Sequence, residues 1–534
     1  MARNDAPGLP SPVDAGGWKD LTTARQAEAS DPGRSAWVSA NAGSGKTHVL
    51  TQRVMRLLLA GARPSAILCL TYTKAAASEM SNRVFLRLSE WATVGDDELR
   101  RRITEMEGRE PDSFRLAEAR RLFARALETP GGLKIQTIHA FCEALLHQFP
   151  LEANVAGHFS VLDDRAAAAL LADARRSLLT ATTDEDDAEL AEAFAAVLTL
   201  ADDTGLESLL ESIVANRNTI RRFFRDADRA GGVEPALRRA IGLRDGETRA
   251  DILGAAWPLP GFDASMIRAY AEEADRAAAK KAAEAARLLA DAALERDPAR
   301  RFEMLTRVFL TAKGEPKAVS GLLTKKMAAP PPELIAAAQA RIAELQDRLR
   351  IMDMLEATLS ALTLAERLDD DYEELKRRRA FLDFEDLIIR TADLLTRTDA
   401  GAWVHYKLDQ GIDHILVDEA QDTSPDQWRI IRALSADFFA GKSARDIRRT
   451  LFAVGDEKQS IYSFQGARPE RFSEERSDVS RRITGEGRFS SISLPLSFRS
   501  TDTVLSAVDQ VFSLPDNARG LRERRWSRPS SALT

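Results

Sequence analysis

Cysteine is nearly absent from this chain: 534 residues carry only Cys69 and Cys142. Two thiols cannot build a disulfide framework or a four-cysteine metal cluster, and such sparing use fits a reducing cytosol, so a cytoplasmic location is expected. The six histidines show no close metal-ligand spacing. No apolar run approaches the ~18–20 residues that cross a membrane as a helix. The opening MARNDAPGLPSPVDAGG lacks an apolar signal core and reads as a flexible leader over residues 1–20. Basic charge is not in excess. The net charge of −7 advertises no polyanion partner, yet it excludes none, because binding follows local patches rather than the sum. What remains is the composition of an ordinary globular protein, 44% hydrophobic and 29% charged. Its length exceeds one compact core and points to two to four domains.

Apolar β-type runs bounded by turn residues occur at Ala36–Ser39, Ile67–Tyr72, Ile415–Asp418 and Leu451–Gly455. Between the second and third, from about Leu151 to Ala380, the chain is rich in Ala, Leu, Arg and Glu at helical spacing. Glu333–Leu387 contains neither Gly nor Pro and predicts one long helix or two joined helices. The stretch SMIRAYAEEADRAAAKKAAEAARLLADAALERD predicts another helix. No fixed-period repeat is visible. The pattern describes an α/β core interrupted by a helical insertion. The expected order is a first lobe over 21–150, the insertion over 151–380, the lobe's return over 381–485, and the start of a second lobe over 486–534.

The segment AWVSANAGSGKTHVL runs from an apolar strand through a glycine-containing loop into a helix. A loop that cradles phosphate needs inward backbone N–H groups with a helix N-terminus behind them. Gly43 and Gly45 permit that backbone within Ala40, Asn41, Ala42, Gly43, Ser44 and Gly45. Lys46 would reach the β- and γ-phosphates, and Thr47 would bind Mg²⁺. Ala40 stands where such loops usually carry their first glycine. The second half is HILVDEAQDTSPDQW. Asp418, ending an apolar strand, can hold Mg²⁺ through water, and Glu419 can orient or deprotonate an attacking water. Lys46 and Asp418 are too far apart in sequence for one β-α-β step, so the insertion must loop out of the nucleotide-binding core.

These residues belong to a longer series: SANAGSGKT, LTYTKAAASEMSNRV, IQTIHAFC, LVDEAQDTSPDQW, VGDEKQSIYSFQGA and LPLSFRST. In this order they resemble the motifs of the UvrD/Rep-like superfamily-one DNA helicases. Asn41, the triple alanine Ala75-Ala76-Ala77 and Gln465 are most similar to the AddA branch, the helicase–nuclease subunits of bacterial double-strand-break repair. The resemblance covers roughly residues 21–521. It implies a RecA-like P-loop sheet with a large inserted helical domain and the start of a second RecA-like lobe. It also implies an ATP- and Mg²⁺-dependent 3′-to-5′ DNA helicase, acting on single-stranded DNA and duplex ends with an AddB-like partner subunit. By the same resemblance Gln26 should hydrogen-bond adenine, Gln459 should sense the γ-phosphate, and Tyr462 and Phe464 should lie against DNA. Arg499 should stabilise the transition-state charge, for which a planar guanidinium fork is suited. Thr71, Tyr72, Thr73 and Lys74 should meet single-stranded DNA, where stacking on an aromatic tolerates any base. Thr137 and His139 resemble the family's backbone-contacting motif. In the insertion, NRNTIRRFFR reads either as a duplex-binding patch or as a solvated helix face.

Two departures stand out. Gln465 occupies a position where the family often has Arg. The family's later helicase motifs and the nuclease motif are not found, and the closing RERRWSRPSSALT loses apolar periodicity. The expectation is a truncated or frame-shifted product that binds nucleotide weakly, hydrolyses it slowly, unwinds no DNA and exposes Leu494, Leu496, Val504 and Val508. The alternative to a motor is a protein that binds ATP and DNA without turnover. A P-loop phosphotransferase has no use for the DEAQD and GDEKQSIY pair.

Overall fold

A computed structural model describes residues 15–182, 187–397, 400–409, 411–439, 448–461, 467–483, 487–514, 516–517 and 530–533. The chain divides into two compact units, 1–162 with 380–534, and 163–379.

The first unit is built on six parallel strands: β1 (Ser35–Ala40), β2 (Ile67–Thr71), β3 (Lys134–Thr137), β6 (His414–Val417), β7 (Thr450–Gly455) and β8 (Phe489–Leu494). Two short strands, β4 (Ser160–Val161) and β5 (Phe381–Leu382), lie between β3 and β6 in the chain. The sheet order is β3-β2-β6-β7-β1-β8. Every pairing in it is parallel. A parallel sheet buried on both faces needs apolar residues at successive positions, and β1, β2, β6 and β7 supply them. Trp37, Leu68, Leu70, Ile415 and Val417 face one layer of helices, which includes Ile138–Gln148, Phe384–Thr396 and Pro425–Leu434. Ala36, Val38, Cys69, Leu416 and Phe452 face the other, which includes Lys46–Leu59, Lys74–Thr93 and Ser113–Glu128. Trp37 stacks on Trp428 at 5.6 Å between ring centroids.

β4 and β5 pair in parallel, Ser160 with Phe381 and Val161 with Leu382. The chain therefore leaves this unit at Leu162 and returns at Ala380 along one ribbon. The intervening unit is helical, and its described residues hold no strand beyond a single bridge between Leu310 and Pro316.

Three helix expectations are adjusted. The expected leader overlaps a helix, Ala15–Ala29; Gly16 and Gly17 fall in its first turn, where few intrahelical bonds are at stake. The long Gly/Pro-free run is helical over Pro332–Arg378 and then breaks, because Ala380 adopts φ 51° and Asp383 opens a new helix with a capping box. The alanine-rich run is two helices, Ala264–Arg276 and Lys280–Leu294, separated at Ala278 with φ 53°. The Ala279 N–H bonds back to the Ala274 carbonyl at 2.9 Å, closing the first helix without glycine. Ile267, Tyr270 and Ala274 then share one core with Ala282, Ala286 and Leu289. Burial of both apolar faces outweighs continued helix here.

The stretch assigned to a second lobe is also redrawn. β8 pairs along its whole length with β1, Ser35 with Phe489 through Ala40 with Leu494, so it is the edge of the first sheet. Leu494, packed in the core of the first sheet, and Leu496, on the next strand, are buried, whereas Val504 and Val508 are exposed as expected. The strand β9 (Leu496–Thr501) follows directly, and it pairs with β10 (Ser530–Leu533) rather than with the large sheet.

The lower end of the sheet is held by a buried arginine. Arg53 donates to the carbonyls of Ala29 at 3.0 Å and Asp31 at 2.8 Å, to that of Arg34, and to Thr450 Oγ1 at 3.2 Å. The same Thr450 hydroxyl meets His414 Nδ1 at 2.9 Å. Burial, and secondarily the Arg53 charge, pushes the His414 imidazole down to about 3. A histidine kept neutral in the fold but free to take a proton when unfolded destabilises the fold as pH drops below its ordinary value of 6.5. From pH 7 to pH 5 this one group should cost about 2 kcal/mol of stability. Urea unfolding across that range should show the slope, and His414→Asn should flatten it; an unchanged slope in the variant would refute the assignment.

Candidate functional site

The C-terminal ends of β1, β2, β6 and β7 converge on one edge of the sheet. There the loop Asn41–Gly45 turns from β1 into the helix Lys46–Leu59, with Gly43 at φ 74° and Gly45 at φ 89°. Both lie in the left-handed region that glycine tolerates. At Gly43 space matters as well, since a Cβ there would stand 2.6 Å from Arg499 Cβ. Ser44 closes the loop by donating its hydroxyl to the Asn41 carbonyl at 2.7 Å. Ala40 is buried at the end of β1, while Ala42 is exposed.

Lys46 Nζ meets Glu419 Oε2 at 2.6 Å, joining the two motifs across the site. Glu419 sits just past β6 with φ 47°, a left-handed conformation that costs a non-glycine residue energy. Its N–H donates to Asp418 Oδ1 at 3.0 Å. Burial first, and the neighbouring Glu419 charge second, raise the Asp418 carboxyl to about 6, against the lowering effect of Lys46. A buried carboxylate facing the helix N-terminus that bears the Thr47 hydroxyl is an oxygen donor set suited to Mg²⁺, which keeps several waters and takes few protein ligands. No cluster of three or more His, Cys, Asp or Glu side chains arranged for a metal occurs among the described residues.

Behind Glu419 lies an amide absent from the sequence expectations. Gln421, buried, donates from Nε2 to Glu419 Oε2 at 2.9 Å and to Asp422 Oδ2 at 3.1 Å, and its Oε1 accepts from the Asp456 N–H at 2.9 Å. The Asp456 carboxylate accepts from Gln459 Nε2 at 2.5 Å and from the Lys458 N–H at 3.1 Å. Lys458 Nζ then reaches Asn41 Oδ1 at 2.6 Å, returning to the phosphate loop. The circuit runs from Lys46 through Glu419, Gln421, Asp456 and Lys458 to Asn41. The motif strings contained these residues, but their connection comes from three strand ends distant in sequence.

Arg499, exposed, follows β8 on β9, and the Phe498 N–H bonds to the Gly43 carbonyl at 2.9 Å. Lys46, Thr47, Asp418, Glu419, Gln459 and Arg499 therefore gather around one loop. Gln26 donates from Nε2 to the Ser44 carbonyl at 3.0 Å, so its amide rests on the loop itself.

The four residues expected near DNA at β2 lie at the same edge. Thr71 is buried, with its hydroxyl on the Thr73 carbonyl at 3.2 Å, and Thr73 caps the helix Lys74–Thr93. Tyr72 is half-buried and Lys74 exposed. Thr137 caps the helix Ile138–Gln148, and His139 meets Phe384 edge-on at 5.5 Å. Burial lowers the His139 pKa, which favours a neutral ring. A cleft beside Glu419 is lined by Thr71, Tyr72, Asp418, Thr423 and Gln427. Tyr462, Phe464 and Gln465 lie outside the described residues. In the helical unit, the basic patch is partly consumed internally. Arg221 pairs with Asp369 at 2.6 Å and with Glu373, and the Arg217 guanidinium lies over Tyr372 at 4.2 Å.

Residues 21–480 match the family described as the UvrD/REP helicase N-terminal domain. The chain is similar to proteins named as ATP-dependent helicase/nuclease subunits. It is 25% identical to that of Ligilactobacillus salivarius, over 93% of this chain and 39% of the relative. It is 30% identical to that of Latilactobacillus sakei, over 85% and 50%, and 28% identical to that of Pelotomaculum thermopropionicum, over 95% and 39%. The chain thus spans between about two fifths and one half of the length of these relatives. With a parallel sheet, a glycine-turned phosphate loop and paired carboxylates already in place, the match over most of its length makes this chain a member of the UvrD/REP helicase family.

Proposed function

We propose that this chain is the nucleotide-hydrolysing motor lobe of an ATP-dependent DNA helicase that serves double-strand-break repair. The observation that carries the reading is the circuit from Lys46 through Glu419, Gln421, Asp456 and Lys458 to Asn41, which ties the phosphate loop to both strand ends beyond it. In this reading Lys46 and the loop N–H groups bind the β- and γ-phosphates. Thr47 and Asp418 hold Mg²⁺, which when bound neutralises charge on the phosphate oxygens. Glu419 orients and deprotonates the attacking water. Gln459, on the Asp456 carboxylate, reports the γ-phosphate to the segment that follows it. Arg499, beside Gly43, offers a guanidinium to the charge that spreads in the transition state.

The DNA strand runs over Tyr72, Thr73, Lys74 and His139, with Tyr462 and Phe464 as further contacts. Thr71 and Thr137 hold the backbone of this surface, because their hydroxyls are spent on it. Movement is 3′ to 5′, on single-stranded DNA entered from duplex ends, in the cytoplasm and with an AddB-like partner subunit. The support for a partner is the word subunit in the relatives' name. No helix among the described residues is long and apolar enough to cross a membrane. The Lys46–Glu419 pair favours a second reading, an ATP- and DNA-binding protein without turnover, because the carboxylate expected to activate water is engaged with the lysine.

Lys46→Ala should abolish Mg·ATP binding in a calorimetric titration while leaving the thermal unfolding midpoint nearly unchanged, since the pair it breaks is not in the core; undiminished affinity would remove the phosphate-loop assignment. Glu419→Gln should keep Mg·ATP and single-stranded DNA binding and slow single-turnover hydrolysis by ~10²–10⁴-fold, the range of a lost general base. Hydrolysis by the unaltered chain should rise when single-stranded DNA is added. Binding of both ligands with no hydrolysis at all would favour the second reading.

A further inference from the structure

Gln421 holds a position that neither phosphate binding nor water activation explains. It is 1% exposed, its Nε2 donates to two carboxylates and its Oε1 accepts one backbone N–H. The Asp456 N–H can only donate, so the amide oxygen must face it, and Nε2 must face the carboxylates. The orientation of the amide is thereby determined by the backbone of β7's end. Room for it is made by Gly455, where a Cβ would stand 2.5 Å from Gln421 Oε1. Gly455 is not among the residues with positive φ, so glycine is needed there for space and not for conformation.

The decisive detail is that one oxygen serves two donors. Glu419 Oε2 accepts from Lys46 Nζ at 2.6 Å and from Gln421 Nε2 at 2.9 Å. A phosphate oxygen brought to Lys46 competes for the place that this carboxylate oxygen holds. When Glu419 yields it, the bond to Gln421 breaks with the bond to Lys46. The amide remains on Asp456, whose carboxylate is held by Gln459.

We propose that Gln421 is a positioning residue that latches Glu419 onto Lys46, so that an incoming phosphate must release the lysine and the amide together. The latch sets the affinity for triphosphate and delivers Glu419 to the water only once phosphate has taken its place. It also links that release to the Asp456–Gln459 segment through a single amide. This inference rests on the reading of the loop as a Mg·ATP site.

The test is a double-mutant cycle on the 534-residue chain, with Mg·ATP affinity measured by calorimetry. Gln421→Met keeps the side-chain length and removes the donor. It should bind Mg·ATP about fivefold more tightly than the unaltered chain, the scale of one lost hydrogen bond. In a Glu419→Gln background, where the lysine has no carboxylate to release, the same change should alter affinity by less than about twofold. A merely structural role for Gln421 would weaken binding equally in both backgrounds, and that result would overturn the latch, as would unchanged affinity in the single variant. Gln421→Leu serves the same cycle if the methionine variant does not fold. Failure of the unaltered chain to bind Mg·ATP would instead remove the functional reading beneath it, so the two failures are distinguishable.

Discussion

The site depends on one ion pair made at a strained place. Lys46 and Glu419 meet at 2.6 Å across strands from distant parts of the chain, with Glu419 held at φ 47°. A parallel sheet makes such a meeting possible, because all its strands deliver their C-terminal ends to one edge. β1 brings the lysine loop, β6 the carboxylates, and β7 the Asp456 turn. The hydrogen bonds that join them are short in space and long in sequence.

The packing beneath has the same logic. Trp37 on β1 stacks against Trp428 and lies 5.0 Å from Phe472, so the strand that carries the phosphate loop is anchored through helices flanking the carboxylates and the β7 turn. At the opposite end, Arg53 ties the approach to β1 and the end of the first helix through carbonyls, and the start of β7 through the Thr450 hydroxyl, rather than through carboxylates. Burial lowers its pKa to about 9, so the guanidinium remains charged at neutral pH. The hydrogen bonds compensate for what a buried charge would otherwise cost. The helical unit instead uses carboxylates, Arg221 pairing with Asp369 and Glu373, while the Arg217 guanidinium lies over Tyr372.

Much of this was legible because the signals are local. The GKT loop, the apolar run into Asp418-Glu419 and the apolar strands each state their role within a few residues. The break at Ala278 was not legible, because an alanine in a left-handed conformation carries no mark in the sequence; only the packing of Tyr270 and Ala274 with Ala286 and Leu289 requires it. The pairing of β8 with β1 was missed for a similar reason. Its alternation of exposed and buried residues, with Ile492 and Leu494 inward, suits any sheet edge and does not say which sheet. Gln421 was hidden by its neighbours. A glutamine between an alanine and an aspartate reads as a polar turn, and its partners at Asp456 and Glu419 appear only when two strand ends are set side by side.

Phosphate arriving at Lys46 should act on all three strand ends together. Hydrogen exchange followed by mass spectrometry, with and without saturating Mg²⁺ and a slowly hydrolysed ATP analogue, measures this directly. The expected result is a concerted change in exchange in peptides covering 41–46, 419–422 and 455–459. A change confined to 41–46, with the other two segments unaltered, would contradict it.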